Sequence, residues 1–191
     1  MKTLFLSLLL LTCSTGLLQA QVAGDRSKTV TVALESTLKK KFADLTAADL
    51  DTVTALNLPH IHLPSFKAND FAGLTKLKKL HFFSLFHKSG KPNEPAAFDG
   101  IVFAKLSSLE ELVIEDELGR LPDDAFAGLT GLKILDLGSS SLLRLPKSLL
   151  TLPKIEAVYL RENSGLSKED YALLKEKLGT KLKPTREKLN N

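Results

Sequence analysis

Few residues of this chain are of the kinds that do chemistry, and their spacing limits what they can do. A nucleophile, base or metal site needs several such groups to converge. The only thiol is Cys13, inside the first twenty residues. His60-Ile61-His62 places two imidazoles on one side of an extended segment, which is half of a zinc site. No third ligand follows at a recognisable spacing, so a surface or turn role is the simpler reading. Glu115-Asp116-Glu117 is acidic enough to attract calcium. It lacks the spaced oxygen ligands of a calcium loop and reads as a solvated acidic edge. Gly138-Ser139-Ser140-Ser141 has neither the lysine nor the spacing of a phosphate-binding loop. These residues predict a protein that is not an enzyme, needs no metal or other cofactor, and works by binding.

The N-terminus stands apart from the rest. Lys2 precedes the apolar run Leu4 to Leu11, and a mixed stretch follows to Gln19-Ala20-Gln21. A basic start, a short apolar core and a small residue at a cut site define a secretory signal peptide, assigned to residues 1–20. The run is too short to span a bilayer, and no transmembrane segment is expected in the mature chain. Cleavage there leaves no cysteine, hence no disulfide, and the chain has no Asn-x-Ser/Thr acceptor. Both absences suit bacterial export, with the product secreted, periplasmic or at the cell surface. Leu10-Leu11-Thr12-Cys13 also resembles a bacterial lipobox, with Thr12 where that pattern has Gly, Ala or Ser. On this alternative Cys13 would carry a lipid anchor. The chain of 191 residues is 43% hydrophobic with a formal charge of +4. Its basic residues are dispersed among acids and richest from Lys168 to Lys188. That pattern describes a solvated helix face, with no nucleic-acid partner implied.

Five segments share one template of apolar positions: Val53-x-x-Leu56-x-Leu58, Leu77-x-x-Leu80-x-Phe82, Leu109-x-x-Leu112-x-Ile114, Leu132-x-x-Leu135-x-Leu137 and Ile155-x-x-Val158-x-Leu160. The steps between them are 24, 32, 23 and 23 residues. The long step contains an insertion at about 86–100. Leu63-Pro64, Leu121-Pro122 and Leu145-Pro146 punctuate three spacers. A second apolar pair follows in Phe71-Ala-Gly-Leu74, Phe103-Ala-Lys-Leu106, Phe126-Ala-Gly-Leu129 and Leu149-Leu-Thr-Leu152. From about Leu50 to Asn163 the chain resembles the leucine-rich-repeat family, whose period is 20–29 residues. The family's ladder asparagine is present at Asn163, whereas Ile61, Leu85, Glu117 and Ser140 stand at the equivalent places. The resemblance implies an α/β fold, a leucine-rich-repeat solenoid with a short parallel sheet on its concave face. The fourth and sixth residues of each copy alternate inward on a strand, and a single copy cannot bury its apolar side alone.

A stacked array needs its ends covered, and both ends carry helix signals. Residues 21–33 form a mature N-terminal segment, and 34–52 read as a helical cap. Leu34, Leu38 and Phe42 follow helical spacing, Thr46-Ala-Ala-Asp49 forms a capping box, and Leu45 and Leu50 are placed for a hydrophobic staple. The stretch from Leu34 to Leu58 resembles the helical N-terminal cap of internalin-type bacterial proteins. After the repeats (53–163), residues 164–180 read as a second helical cap. It opens on the box Ser167-Lys-Glu-Asp170, continues through Tyr171, Leu174 and Leu178, and stops at Gly179. Residues 181–191 read as a polar tail.

Alternation then gives the outward side chains. The middle column is Asn57, His81, Val113, Asp136 and Tyr159. Its neighbours are Ala55, Lys79, Glu111, Ile134 and Ala157 on one side and Pro59, Phe83, Glu115, Gly138 and Arg161 on the other. Phe83, Val113, Ile134 and Tyr159 are apolar or aromatic on a face that solubility alone would make polar, and His81, Asp136 and Arg161 rim them. Aromatic anchors with a polar rim suit a protein ligand, and a glycan is the second possibility. On this register Leu135→Asp unfolds the array, whereas Asp136→Ala leaves stability nearly unchanged. The insertion, with Phe86 and Phe98, is a second candidate for recognition. A passive structural part in an envelope assembly is the competing role.

Overall fold

The structure, a computed structural model, describes residues 25–59, 66–83, 102–115 and 118–184, with the Phe83 side chain left out. The leader with Cys13, the His60/His62 pair, Asp116 and Glu117, and the insertion at 86–100 lie outside the described residues.

Among the described residues six parallel strands run in chain order: β1 (Ala55–Pro59), β2 (Lys79–Phe83), β3 (Glu111–Glu115), β4 (Ile134–Asp136), β5 (Ala157–Tyr159) and β6 (Leu182–Lys183). One joint is repeated four times. The N–H groups of Lys78 and Lys79 both donate to the Thr54 carbonyl, and those of Glu110 and Glu111 to Lys78. Lys133 and Ile134 donate likewise to Glu110, and Glu156 and Ala157 to Lys133, all eight bonds measuring 2.8–3.0 Å. The repeat template therefore sets a single register throughout. Leu56 pairs with Leu80, Leu80 with Leu112, Leu112 with Leu135, and Leu135 with Val158.

These residues and their sixth-position companions Leu58, Phe82, Ile114, Leu137 and Leu160 are all buried. On the far side of the core Phe71, Phe103, Phe126 and Leu149 are buried too. The ring centroids of Phe71 and Phe103 lie 6.3 Å apart, and those of Phe82 and Phe103 lie 6.2 Å apart. The rings thus bridge strand and return segment, and fully burying each such side chain stabilises the fold by about 1.5–3 kcal/mol.

The turns after β4 and β5 are held by the ladder positions Ser140 and Asn163. Asn163 donates from Nδ2 to the carbonyls of Leu137 (2.7 Å), Leu160 (3.1 Å) and Arg161 (3.2 Å), and its Oδ1 accepts the Leu142 N–H (2.8 Å). One copy earlier the Ser140 hydroxyl donates to the Ile114 carbonyl at 2.7 Å. Ile114 and Leu137 are equivalent, so serine supplies one of the asparagine's bonds. Ile61, Leu85 and Glu117 lie outside the described residues.

The N-terminal cap begins earlier than the sequence suggests. Helix α1 spans Lys28–Leu38, six residues ahead of the expected start at 34, because the Ser27 hydroxyl accepts the Val30 N–H and caps it. It ends at Lys39, which takes a left-handed φ of 55°. Phe42 therefore does not continue the helix and instead opens a short turn, Phe42–Asp44. Helix α2 (Ala47–Leu50) carries the expected capping box between Thr46 and Asp49, with Leu45 and Leu50 buried.

Ahead of α1 lies a buried polar lock. Arg26 donates to the carbonyls of Asn69 (2.9 Å), Asp70 and Ala72 (2.5 Å). The fully buried Asp70 carboxylate accepts the N–H groups of Ser27 (2.5 Å) and Lys67 (2.8 Å). Burial pushes the Arg26 guanidinium below the usual arginine range, and the Asp70 charge opposes that shift.

At the other end α3 (Lys168–Leu178) opens on the Ser167/Asp170 capping box, and Gly179 closes it with a φ of 53°. Leu174 and Leu178 are buried, while Tyr171 stays exposed with its hydroxyl 3.4 Å from the carbonyls of Leu160 and Asn163. The expected polar tail needs correction at its start. Leu182 and Lys183 form β6 and pair with Val158 and Tyr159. Leu182 follows Val158 by 24 residues, one repeat period, and its half-buried side chain packs on the core.

Candidate binding face

Strand alternation puts one set of side chains into the core and presents the other on the opposite face. In a solenoid this second face is the concave one, an extended surface suited to binding. The register brings Asn57, His81, Val113, Asp136 and Tyr159 into a single column, and Lys183 extends it onto β6. Ile134 lies in the neighbouring column between Glu111 and Ala157. Arg161 follows β5 on the same alternation as Tyr159. Phe83 occupies its expected place in β2 between Pro59 and Glu115.

His81, Ile134, Tyr159 and Arg161 are half-exposed, so they offer area to a ligand. Val113 and Asp136 do not: they are 5% and 3% exposed. The sequence reading took both for outward, accessible groups, and that part is corrected. Val113 sits between His81 and Asp136 in the column and is covered by its surroundings. The Asp136 carboxylate reaches just past the end of its strand and accepts the Gly138 N–H at 2.9 Å. Asp136 is therefore a structural acceptor, and the expectation that Asp136→Ala leaves stability untouched falls with its exposure.

Gly138 explains how Arg161 lies. A Cβ placed there would come within 3.0 Å of Arg161 Cγ and Nε and 3.1 Å of Asp136 Oδ1. The missing side chain leaves room for the arginine stem beside Gly138. Its guanidinium is 3.7 Å from Glu162, whose carboxylate also bonds the Ser139 hydroxyl at 2.5 Å. On β2 and β3, Lys79 and Glu111 form a neighbouring ion pair at 3.4 Å. The sequence reading missed Lys183 and the role of Gly138. The first was legible in the 24-residue step to Leu182. The second was not, because a glycine before a serine run reads only as a turn.

Beside this face a line of charges crosses the repeats. Glu110 lies 2.8 Å from Lys133 and 3.0 Å from Lys78. Hydrogen bonds from Lys133 and then Lys78 hold the Glu110 carboxyl well below the usual range, at about 2, and the Lys133 ammonium is raised by the same contact. Among the described residues no group of three or more His, Cys, Asp or Glu is placed to hold a metal ion. No helix among them is long and apolar enough to cross a membrane.

Residues 107–164 match the family model of the leucine rich repeat, and with the parallel sheet this makes the fold a leucine-rich-repeat solenoid. Its architecture is internalin-like. An internalin, InlF, from Listeria monocytogenes superposes with a TM-score of 0.54 at 19% identity, over 88% of this chain and 47% of that one. Internalin C2 from the same organism gives 0.48 at 20% identity, over 73% of this chain and 62% of that one. The chain therefore spans less than half of the first structure and less than two thirds of the second. No curated protein matches the chain.

Proposed function

We propose that this protein is an exported binding module that engages a protein ligand through its concave face. The observation that carries this reading is the alignment of one column across all six strands. Half-exposed Tyr159 and Ile134 lie within it and beside it, rimmed by His81 and Arg161. An aromatic and an aliphatic anchor inside a polar rim is the composition of an interface centre. Export rests on the leader sequence, with Lys2, the leucine run and Ala20 as its parts.

Photocrosslinking in the native cell tests the binding reading. A benzophenone amino acid at position 159 should trap one partner in a saturable manner, and the same group at exposed Lys147, on the short helical turn Lys147–Thr151, should trap none. Equal labelling from both positions, or recovery only through the insertion, removes the concave face from consideration. Intact-mass analysis tests export, with a mature N-terminus expected close to Gln21. A chain starting at lipid-modified Cys13 would establish an anchor in place of soluble export.

A further inference from the structure

The concave face is balanced in formal charge but unbalanced in what it exposes. Its cations are Lys79, Arg161 and Lys183, its acids are Glu111, Glu115 and Asp136, and the exposed Glu162 stands at the rim 3.7 Å from Arg161. The Lys79 side chain is 63% exposed and that of Arg161 37%, and Lys183 is exposed as well. Glu111 retains 15% beside Lys79, and Asp136 retains 3%. Glu115 is half-buried. A charge arriving at this face meets the cations first and stays farther from the sunken acids. Coulomb energy falls with distance, and contact with water weakens it further, so the nearest charges decide the sign.

We infer that the partner presents an acidic protein segment with an apolar residue between its carboxylates. The inference rests on the concave-face reading and adds the chemistry of the ligand. Carboxylates pair with Arg161 and Lys183 at one end and with Lys79 at the other, while the apolar residue seats on Ile134 and Tyr159. From β2 to β6 the sheet spans about 19 Å at about 4.8 Å per strand. An extended chain of about six residues covers that distance. Gly138 bears on the fit at one end, since a Cβ there would press within 3.0 Å of the Arg161 stem and shift it.

Panning random twelve-residue peptides on phage against the purified full chain tests this. Recovered peptides should be net acidic with an aromatic or large aliphatic residue. The variant Lys79→Gln/Arg161→Gln/Lys183→Gln should bind them about tenfold more weakly with an unchanged melting temperature, because exposed ion pairs each contribute little. Gly138→Ala should weaken them in the same direction. Neutral or basic peptides that still lose binding on Tyr159→Ala would overturn the charge inference and leave the concave-face reading standing. Acidic peptides indifferent to the three Gln changes would also overturn it. Retention on heparin through the same three cations, without recovery of acidic peptides, would replace the partner by a sulfated glycan. Failure to recover any peptide sensitive to Tyr159→Ala would remove both readings.

Discussion

Replacing Asp70 by alanine removes one side chain from the described core and leaves three groups without it. The N–H groups of Ser27 and Lys67 lose their acceptor, and the Arg26 guanidinium loses its counter-charge while still bound to the carbonyls of Asn69, Asp70 and Ala72. Each buried donor left without its acceptor costs about 1–3 kcal/mol, and Arg26 loses a nearby opposite charge as well. A domain is stable by only about 5–15 kcal/mol, so the loss is a large part of the total. It should also be local, because stacked repeats feel only their neighbours. The unfolding free energy from urea denaturation followed by circular dichroism should fall by about 2–6 kcal/mol. Amide exchange should rise first in α1 and β1 while β4 and β5 keep their protection. Arg26→Met combined with Asp70→Asn should cost less than the two single changes added, a coupling of about 1 kcal/mol or more. A loss under about 1 kcal/mol for Asp70→Ala, or exchange that rises evenly along the chain, would refute the lock.

Leu135→Asp should unfold the centre of the array, since it puts an unpaired charge into a fully buried column. Asp136→Ala should cost about 1–3 kcal/mol, the penalty of leaving the Gly138 N–H without its acceptor. Equal melting of these two variants would mean that the strand register is wrong. Asn163→Ala should cost about 2–3 kcal/mol and Ser140→Ala about 1 kcal/mol, because the asparagine makes the larger set of bonds in its turn. The reverse order in denaturant melts would contradict that ranking. Glu110 has a depressed pKa, so its contribution is present above the unfolded carboxylate value of about 4.3 and disappears as pH falls toward about 2. The stability difference between the wild type and Glu110→Gln should be flat at neutral pH and vanish across that acid window. A difference that persists unchanged at pH 2 would show that the ion pairs with Lys78 and Lys133 are not its source.

The fold was legible because its signal is carried by apolar residues alone. Leu56, Leu80, Leu112, Leu135 and Val158 repeat on one template, and parallel pairing of identical copies leaves a single register that buries them all. Both capping boxes were legible for a similar reason, since a hydroxyl and a carboxylate three residues apart act locally. The site was only partly legible. Alternation gave the face of every side chain but not its depth. Val113 and Asp136 point to the expected side and are nonetheless covered, through neighbours on other strands whose conformations no periodicity encodes. The Arg26–Asp70 lock joins residues 44 positions apart and had no local pattern to announce it. Leu182 could have been found by extending the period once more past Val158, but the intervening helix masked it.

The two kinds of order in this array do not coincide, and that bears on where recognition belongs. The apolar columns run through all five copies, whereas the described hydrogen-bonded turns are those built on Ser140 and Asn163. The family model also matches only 107–164, the stretch that contains both. Tyr159 and Arg161 lie between these two ladder positions and Asp136 and Gly138 flank Leu137, on backbone that the ladder holds through the carbonyls of Leu137, Leu160 and Arg161. A side chain fixed before binding loses less entropy when a ligand arrives. On this argument the C-terminal part of the concave face should yield the most affinity for equal contact area. Asn163→Ala tests this without touching the face itself. Beyond its cost in stability, it should weaken the acidic peptides expected at Arg161 in conditions where the chain remains folded. Asp70→Ala, which loosens the opposite end, should leave their affinity unchanged. If the two variants weaken binding alike, the preorganisation argument fails, and recognition does not depend on the ladder.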